Sequence, residues 1–198
     1  MKLEELKEKY RSSGMELTLE AVLSFNDPEL AYEFAKENNC DPKVLGEIVI
    51  KSKDPKYNFY FSRDIAKADI KEHERVVLES NNPYFSILFC AFVPNANYKK
   101  HQQIILKSRN PYINYYMALL ITKRDLDLNM KPHEKVVLQS KDPEWNFQFV
   151  TVPGANIIAH GNVIYKTGDK RWIDAFNDCF KERYEKAKVK VKKEVSIK

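Results

Sequence analysis

Residues 71–80 read KEHERVVLES, and they can be taken three ways. The β-branched run Val76-Val77-Leu78 suggests a strand, His73 suggests a catalytic or metal-ligating group, and the whole suggests an amphipathic helix. The spacing decides for the helix. Ile70, His73 and Val77 fall at i, i+3 and i+7, one face of a 3.6-residue period rather than the alternation of a strand. The same i, i+3, i+7 set returns in Tyr98, His101 and Ile105. The chain holds four histidines, and each stands seven residues before a hydroxyl: His73 and Ser80, His101 and Ser108, His133 and Ser140, His160 and Thr167. Four imidazoles in one register mark a recurring structural position before they mark an active site.

The register extends to prolines. NDPEL, KDPKY, NNPYF, RNPYI and KDPEW align Pro28, Pro55, Pro83, Pro111 and Pro143, and GDKRW puts Lys170 in the same place. The spacings are 27, 28, 28, 32 and 27 residues, the long one carrying an insertion near ITKRDLDLNMKP. Self-similarity at a fixed period of this length is the mark of a repeat architecture. Before each alignment point stands Asp or Asn (Asp27, Asp54, Asn82, Asn110, Asp142, Asp169). Such a side chain accepts from the free N–H groups of a helix start. Proline suits the next position because its missing N–H has no helical partner to lose. Helix A therefore opens here. Its second and sixth positions after the proline place are apolar, from Leu30 and Phe34 to Trp172 and Phe176, and form a core stripe on one helix face. Ala35, Ser62, Cys90 and Ala118 follow as small residues suited to close helix contact. Helix B opens at Asp41, Asp69, Asn97, Asn129 and Asn156, each four residues before the histidine place, which Leu45 occupies in the first copy.

A hairpin of two short helices cannot bury its apolar faces alone and stacks on its neighbours. The expected fold is all-α, a right-handed α-solenoid of about six two-helix repeats of roughly 28 residues with helical caps. Residues 1–180 are expected to form one domain: an N-terminal cap over 1–25, repeats over 26–169 and a closing helix over 170–180. Residues 181–198 are read as a basic extension. The pattern resembles the HEAT/armadillo class of helical-hairpin solenoids, with a shorter unit. It is also similar to the short SxDPxYxxxFA hairpin repeats of uncharacterised phage and low-GC bacterial proteins. The resemblance covers roughly residues 24–177 and implies a fold, with no catalytic residues.

Composition narrows the function classes. The chain has 198 residues, with 43% hydrophobic and 31% charged side chains, which is not a disordered composition. No run of 18 apolar residues suggests a membrane span, and the charged N-terminus has no apolar core of a signal peptide. Cys40, Cys90 and Cys179 are odd in number and far apart, so they read as reduced thiols of a cytoplasmic or virion protein. The net charge is +5, but residues 181–198 carry eight of the 33 basic and three of the 28 acidic residues. The remainder holds 25 of each and is electrically balanced.

The chemical motifs dissolve into the repeat. Zinc needs donors about 2 Å from one centre, whereas equivalent residues of stacked helices lie about 8–10 Å apart. The histidines therefore read as semi-buried residues of the first turn of helix B, interchangeable with Leu45. The Ser/Thr places (Ser52, Ser80, Ser108, Ser140, Thr167) read as local hydrogen bonding in the inter-repeat turn. No catalytic residue, metal ligand or cofactor is assigned, and the expected class is a non-enzymatic macromolecule-binding protein without a small-molecule substrate. Function is sought where the copies differ on helix A. One and five residues after the proline, the end copies are mostly polar (Glu29/Glu33, Glu144/Gln148, Arg171/Ala175) and the middle copies mostly aromatic or apolar (Lys56/Tyr60, Tyr84/Leu88, Tyr112/Tyr116). Tyr60, Tyr84, Leu88, Tyr112 and Tyr116 are therefore the candidate partner-binding or self-association surface. The counter-reading buries these residues between adjacent hairpins. Nucleic-acid binding, a virion or assembly role and inhibition of a host protein by a mobile-element product are the alternatives.

Overall fold

The structure, a computed structural model, describes residues 2–38 and 41–196, and of the side chains those up to residue 191. Cys40 and the end of the basic tail lie outside the described residues. These form thirteen α-helices and no strand. After α1 (Leu3–Ser12) and α2 (Leu19–Phe25), helices of the A type alternate with helices of the B type. The A helices are α3 (Pro28–Glu37), α5 (Pro55–Asp64), α7 (Pro83–Phe92), α9 (Pro111–Lys123), α11 (Pro143–Phe149) and the start of α13 (Lys170–Ser196). The B helices are α4 (Pro42–Ser52), α6 (Ile70–Glu79), α8 (Tyr98–Ser108), α10 (Lys131–Ser140) and α12 (Ile157–Thr167). Val76-Val77-Leu78 and the equivalent runs Ile48-Val49-Ile50, Ile104-Ile105-Leu106, Val136-Val137-Leu138 and Val163-Ile164-Tyr165 each lie in a B helix. The insertion lengthens α9 to 13 residues and the turn that follows it.

Two compact units divide the chain, Met1–Ile104 and Ile105–Lys198, with the boundary inside α8. In the first unit α3 packs on α4 and α5 on α6, while A helices also meet A helices (α3 with α5, α5 with α7) and α4 meets α6. In the second unit α9 packs on α10, α11 on α12 and α12 on α13, while α9 meets α11, α11 meets α13 and α10 meets α12. The sixth position of helix A supplies buried residues throughout: Phe34 and Phe61 with Leu30, Leu45 and Val49 in one cluster, Phe89 beside Phe59 and Val77, Phe149 beside Tyr115 and Val137, Phe176 beside Ile164.

Polar side chains punctuate the helices as their spacing predicts. The Asp27, Asp54, Asn82, Asn110, Asp142 and Asp169 side chains each accept a backbone N–H two or three residues on, at 2.8–3.3 Å for the closest. Each turn hydroxyl makes two bonds. Ser52, Ser80, Ser108, Ser140 and Thr167 donate to the carbonyl three residues back at 2.6–2.7 Å. Each also accepts the N–H of the capping Asp or Asn two residues on, at 3.1–3.2 Å. The residue between them is left-handed (Lys53, Asn81, Arg109, Lys141, Gly168), which ends one helix and aims the chain into the next.

A second polar element lies deeper. Three residues after the proline, helix A carries Asn58, Asn114 and Asn146, all fully buried. Asn58 Nδ2 donates to the Val49 carbonyl of α4 and to the Asp54 carbonyl at the start of its own helix, both at 2.8 Å. Its Oδ1 faces His73 Nδ1 on α6 at 2.8 Å. One amide thus ties three helices. Asn114 does the same with Ile105, Asn110 and His133, and Asn146 with Val137, Asp142 and His160. In the third copy the residue is Ser86, two atoms shorter. Ser86 Oγ and both ring nitrogens of His101 are buried without a hydrogen bond. The first copy carries Ala31 and Leu45, so both halves of the pair are apolar together, and both are buried.

A buried polar group left without its bond costs about 1–3 kcal/mol. Ser86→Asn, restoring the amide at this place, should therefore stabilise the fold by about 1 kcal/mol. Urea denaturation of the variant against the parent measures it, and equal or lower stability would show that this position does not reach His101 as its equivalents reach theirs.

Candidate functional site

The histidines are fully buried rather than semi-buried. The Asn amide explains the state of His73, His133 and His160. Its nitrogen is committed to two carbonyls, so its oxygen faces the imidazole, and an oxygen of this kind only accepts. Nδ1 of His73, His133 and His160 must carry the proton. Burial holds all three well below the ordinary imidazole value, at about 4. Three of the imidazoles also lie against the aromatic sixth position of helix A. Phe61 is 4.8 Å from His73, Phe89 5.2 Å from His101 and Phe149 5.0 Å from His160, centroid to centroid.

A carboxylate closes the other side of two of these rings. Glu74 of α6 reaches the start of α8, where Oε1 accepts the Asn97 N–H at 2.5 Å and stands 3.3 Å from His101 Nε2. Glu134 of α10 accepts the Asn156 N–H at 2.5 Å and stands 3.4 Å from His160 Nε2. The alignment at the imidazoles falls short of a hydrogen bond, so these contacts are electrostatic. Burial pushes the Glu74 carboxyl up, but His101 and the Asn97 N–H outweigh it and leave it below the ordinary range. No group of three or more metal-ligating side chains is placed to hold an ion among the described residues.

The aromatic positions divide between the two units. In the first, Tyr60 of α5 is half-buried against Phe59 and Tyr32, with the Arg63 guanidinium 5.0 Å from its ring centre. On α7, Tyr84 is 51% exposed and Leu88 half-buried. Phe92, one turn beyond Leu88, is 58% exposed and lies against Phe59. In the second unit, Tyr112 and Tyr116 of α9 are 41% and 43% exposed and meet edge to face at 4.8 Å. Tyr112 also packs on Trp145, and Tyr116 on Tyr115. Three of the five candidate residues are thus exposed and two are half-buried. Phe92 belongs with them and was missed by a reading confined to the first and fifth positions; the ninth continues the same stripe. Of the cysteines, Cys90 is buried and packs in helix A, and Cys179 is exposed.

No helix among the described residues is long and apolar enough to cross a membrane. No family model, curated protein or solved structure matches the chain.

The buried imidazoles give stability a pH dependence whose sign is fixed. Neutral in the fold and protonated at about 6.5 when unfolded, they contribute stability that is complete above pH 6.5. It is lost as pH falls from there toward their folded value of about 4. Unfolding between pH 5 and 6.5, above the carboxylate range, should take up close to three protons at the acid end. Denaturation midpoints across that window measure this; a flat profile would contradict it.

Proposed function

We propose that the chain is a non-enzymatic helical-repeat protein, an α-solenoid of about six hairpins, that binds a protein partner through aromatic residues of its middle A helices. The recurrence of A helices against A helices and B helices against B helices within each unit supports the stacked arrangement. The observation that carries the binding role is the exposure of Tyr84, Phe92, Tyr112 and Tyr116. The same helices bury aromatics efficiently elsewhere, and a half-exposed ring forgoes about 1 kcal/mol of transfer energy. Tyr84, Tyr112 and Tyr116, with the half-buried Tyr60 and Leu88, provide what interface cores favour: large apolar area, with a polar tip on each tyrosine. The polar equivalents on α3 and α11 mark those helices as outside the contact surface.

The turn hydroxyls, and Nδ1 of His73, His133 and His160, are occupied by turn carbonyls and by the buried amides, which supports a binding rather than a catalytic role. Tyr84→Ala combined with Tyr112→Ala should abolish retention of the partner captured by the parent protein from its native host, with the melting temperature unchanged. Sedimentation of the parent alone distinguishes self-association from a separate partner. A collapse of the melting temperature in the double variant would place these rings in the scaffold and overturn the reading.

A further inference from the structure

The residue that follows the histidine place on the five B helices is Gly46, Glu74, Gln102, Glu134 and Gly161. Glu74 and Glu134 close the Nε2 side of the next imidazole and cap the next B helix, as described above. Gly161 is covered by the closing helix: a Cβ there would lie 2.7 Å from the Tyr184 ring and 2.8 Å from that of Phe176. Gly46 is covered less closely, by the Phe61 ring, which a Cβ there would approach to 3.3 Å. A Cβ built on it would point 3.4 Å from His73 Nε2, and between α4 and α6 at this place lies a groove of about 530 Å³ that His73 lines.

Two features define what this groove recognises. His73 is 1% exposed, and its Nδ1–H is fixed on Asn58 Oδ1, so Nε2 presents a lone pair. Among the described residues Nε2 has no hydrogen-bond partner, whereas the same atom of His101 and of His160 faces a carboxylate. The rim is acidic on balance, with Asp41, Glu47, Asp69 and Glu72 against Lys43 and Lys67. Asp41 and Asp69 cap their helices, Glu72 pairs with Arg75, and Glu47 with Lys51. The four carboxylates are thus engaged, and what the groove offers a ligand is the hydrogen-bond acceptor at its floor, which excludes an anion and takes a donor such as an ammonium or guanidinium.

We propose that the groove between the N-terminal turns of α4 and α6 binds a lysine or arginine side chain of a protein partner, with His73 Nε2 accepting from its ammonium or guanidinium. The inference rests on the binding role above only in taking the partner to be a protein. A side chain at position 46 would close the site from within. A glutamine at position 46 would offer its amide N–H to Nε2 and its oxygen to the start of α6, without changing the charge.

The test titrates N-acetyl-arginine amide and N-acetyl-lysine amide into protein labelled for nitrogen NMR of the His73 ring, with N-acetyl-glutamate amide as control. Saturable movement of the Nε2 resonance is expected with the two cations and not with the glutamate. Gly46→Gln should weaken the effect by about tenfold or more while the protein stays folded. Glu47→Gln with Glu72→Gln, which leaves Gly46 and the packing around it intact, should weaken it by about threefold. An unmoved Nε2 with both cations, the same movement in Gly46→Gln, or a response to glutamate would each overturn the proposal. Because the probe is a free side-chain analogue, its outcome is independent of the tyrosine variants.

Discussion

A buried amide must satisfy two donors and an acceptor wherever it is placed, and in this chain that requirement ties the helices together. Asn58, Asn114 and Asn146 each bond the end of the preceding B helix, the start of their own A helix and the imidazole of the following B helix. Apolar packing alone fixes how much surface is buried but is tolerant of small rotations and slips. An amide that loses its partners if a helix turns by one residue is not, so it specifies register. The first copy makes the point from the other side. There Ala31 replaces the amide and Leu45 the imidazole, and no polar group is left stranded. The third copy, with Ser86 opposite His101, is the place where the match is incomplete.

Polar groups consumed in this way are removed from the list of functional candidates. The imidazoles of His133 and His160 are held neutral and enclosed, the hydroxyls are spent on turn carbonyls, and the Asp/Asn side chains are spent on helix starts. What remains is variation between otherwise equivalent positions. Exposed rings on α7 and α9 stand where α3 and α11 carry acids and amides. A glycine on α4 stands where α6 and α10 carry a carboxylate. Both are departures from a rule the chain otherwise keeps, and both change what is presented to solvent rather than what is packed.

The helices, their caps and the turn hydroxyls were legible in the sequence because each depends on residues two or three apart. Asp-Pro, the hydroxyl two places before it and the i, i+3, i+7 pattern are local signals. The Asn–His pairing was not read, because its partners stand 14 to 19 residues apart and Asn58 looks like a solvent residue between apolar ones. A two-position stripe underestimates the buried arc of helix A, which here includes the third and fourth positions as well. The joint replacement of Asn by Ala and His by Leu in the first copy was the available clue. Exposure of the tyrosines was likewise undecided by sequence, since a helix covered on two sides and one presenting a binding face can carry the same residues.

The account stands most directly on the coupling between Asn58 and His73. A double-mutant cycle of Asn58→Ala and His73→Leu, followed by urea denaturation, isolates it. The account predicts that each single change destabilises while the pair together, mimicking Ala31 and Leu45, loses less than the sum by about 1–3 kcal/mol. Simple additivity of the two losses would mean that the amide and the imidazole do not hold one another, and would contradict it.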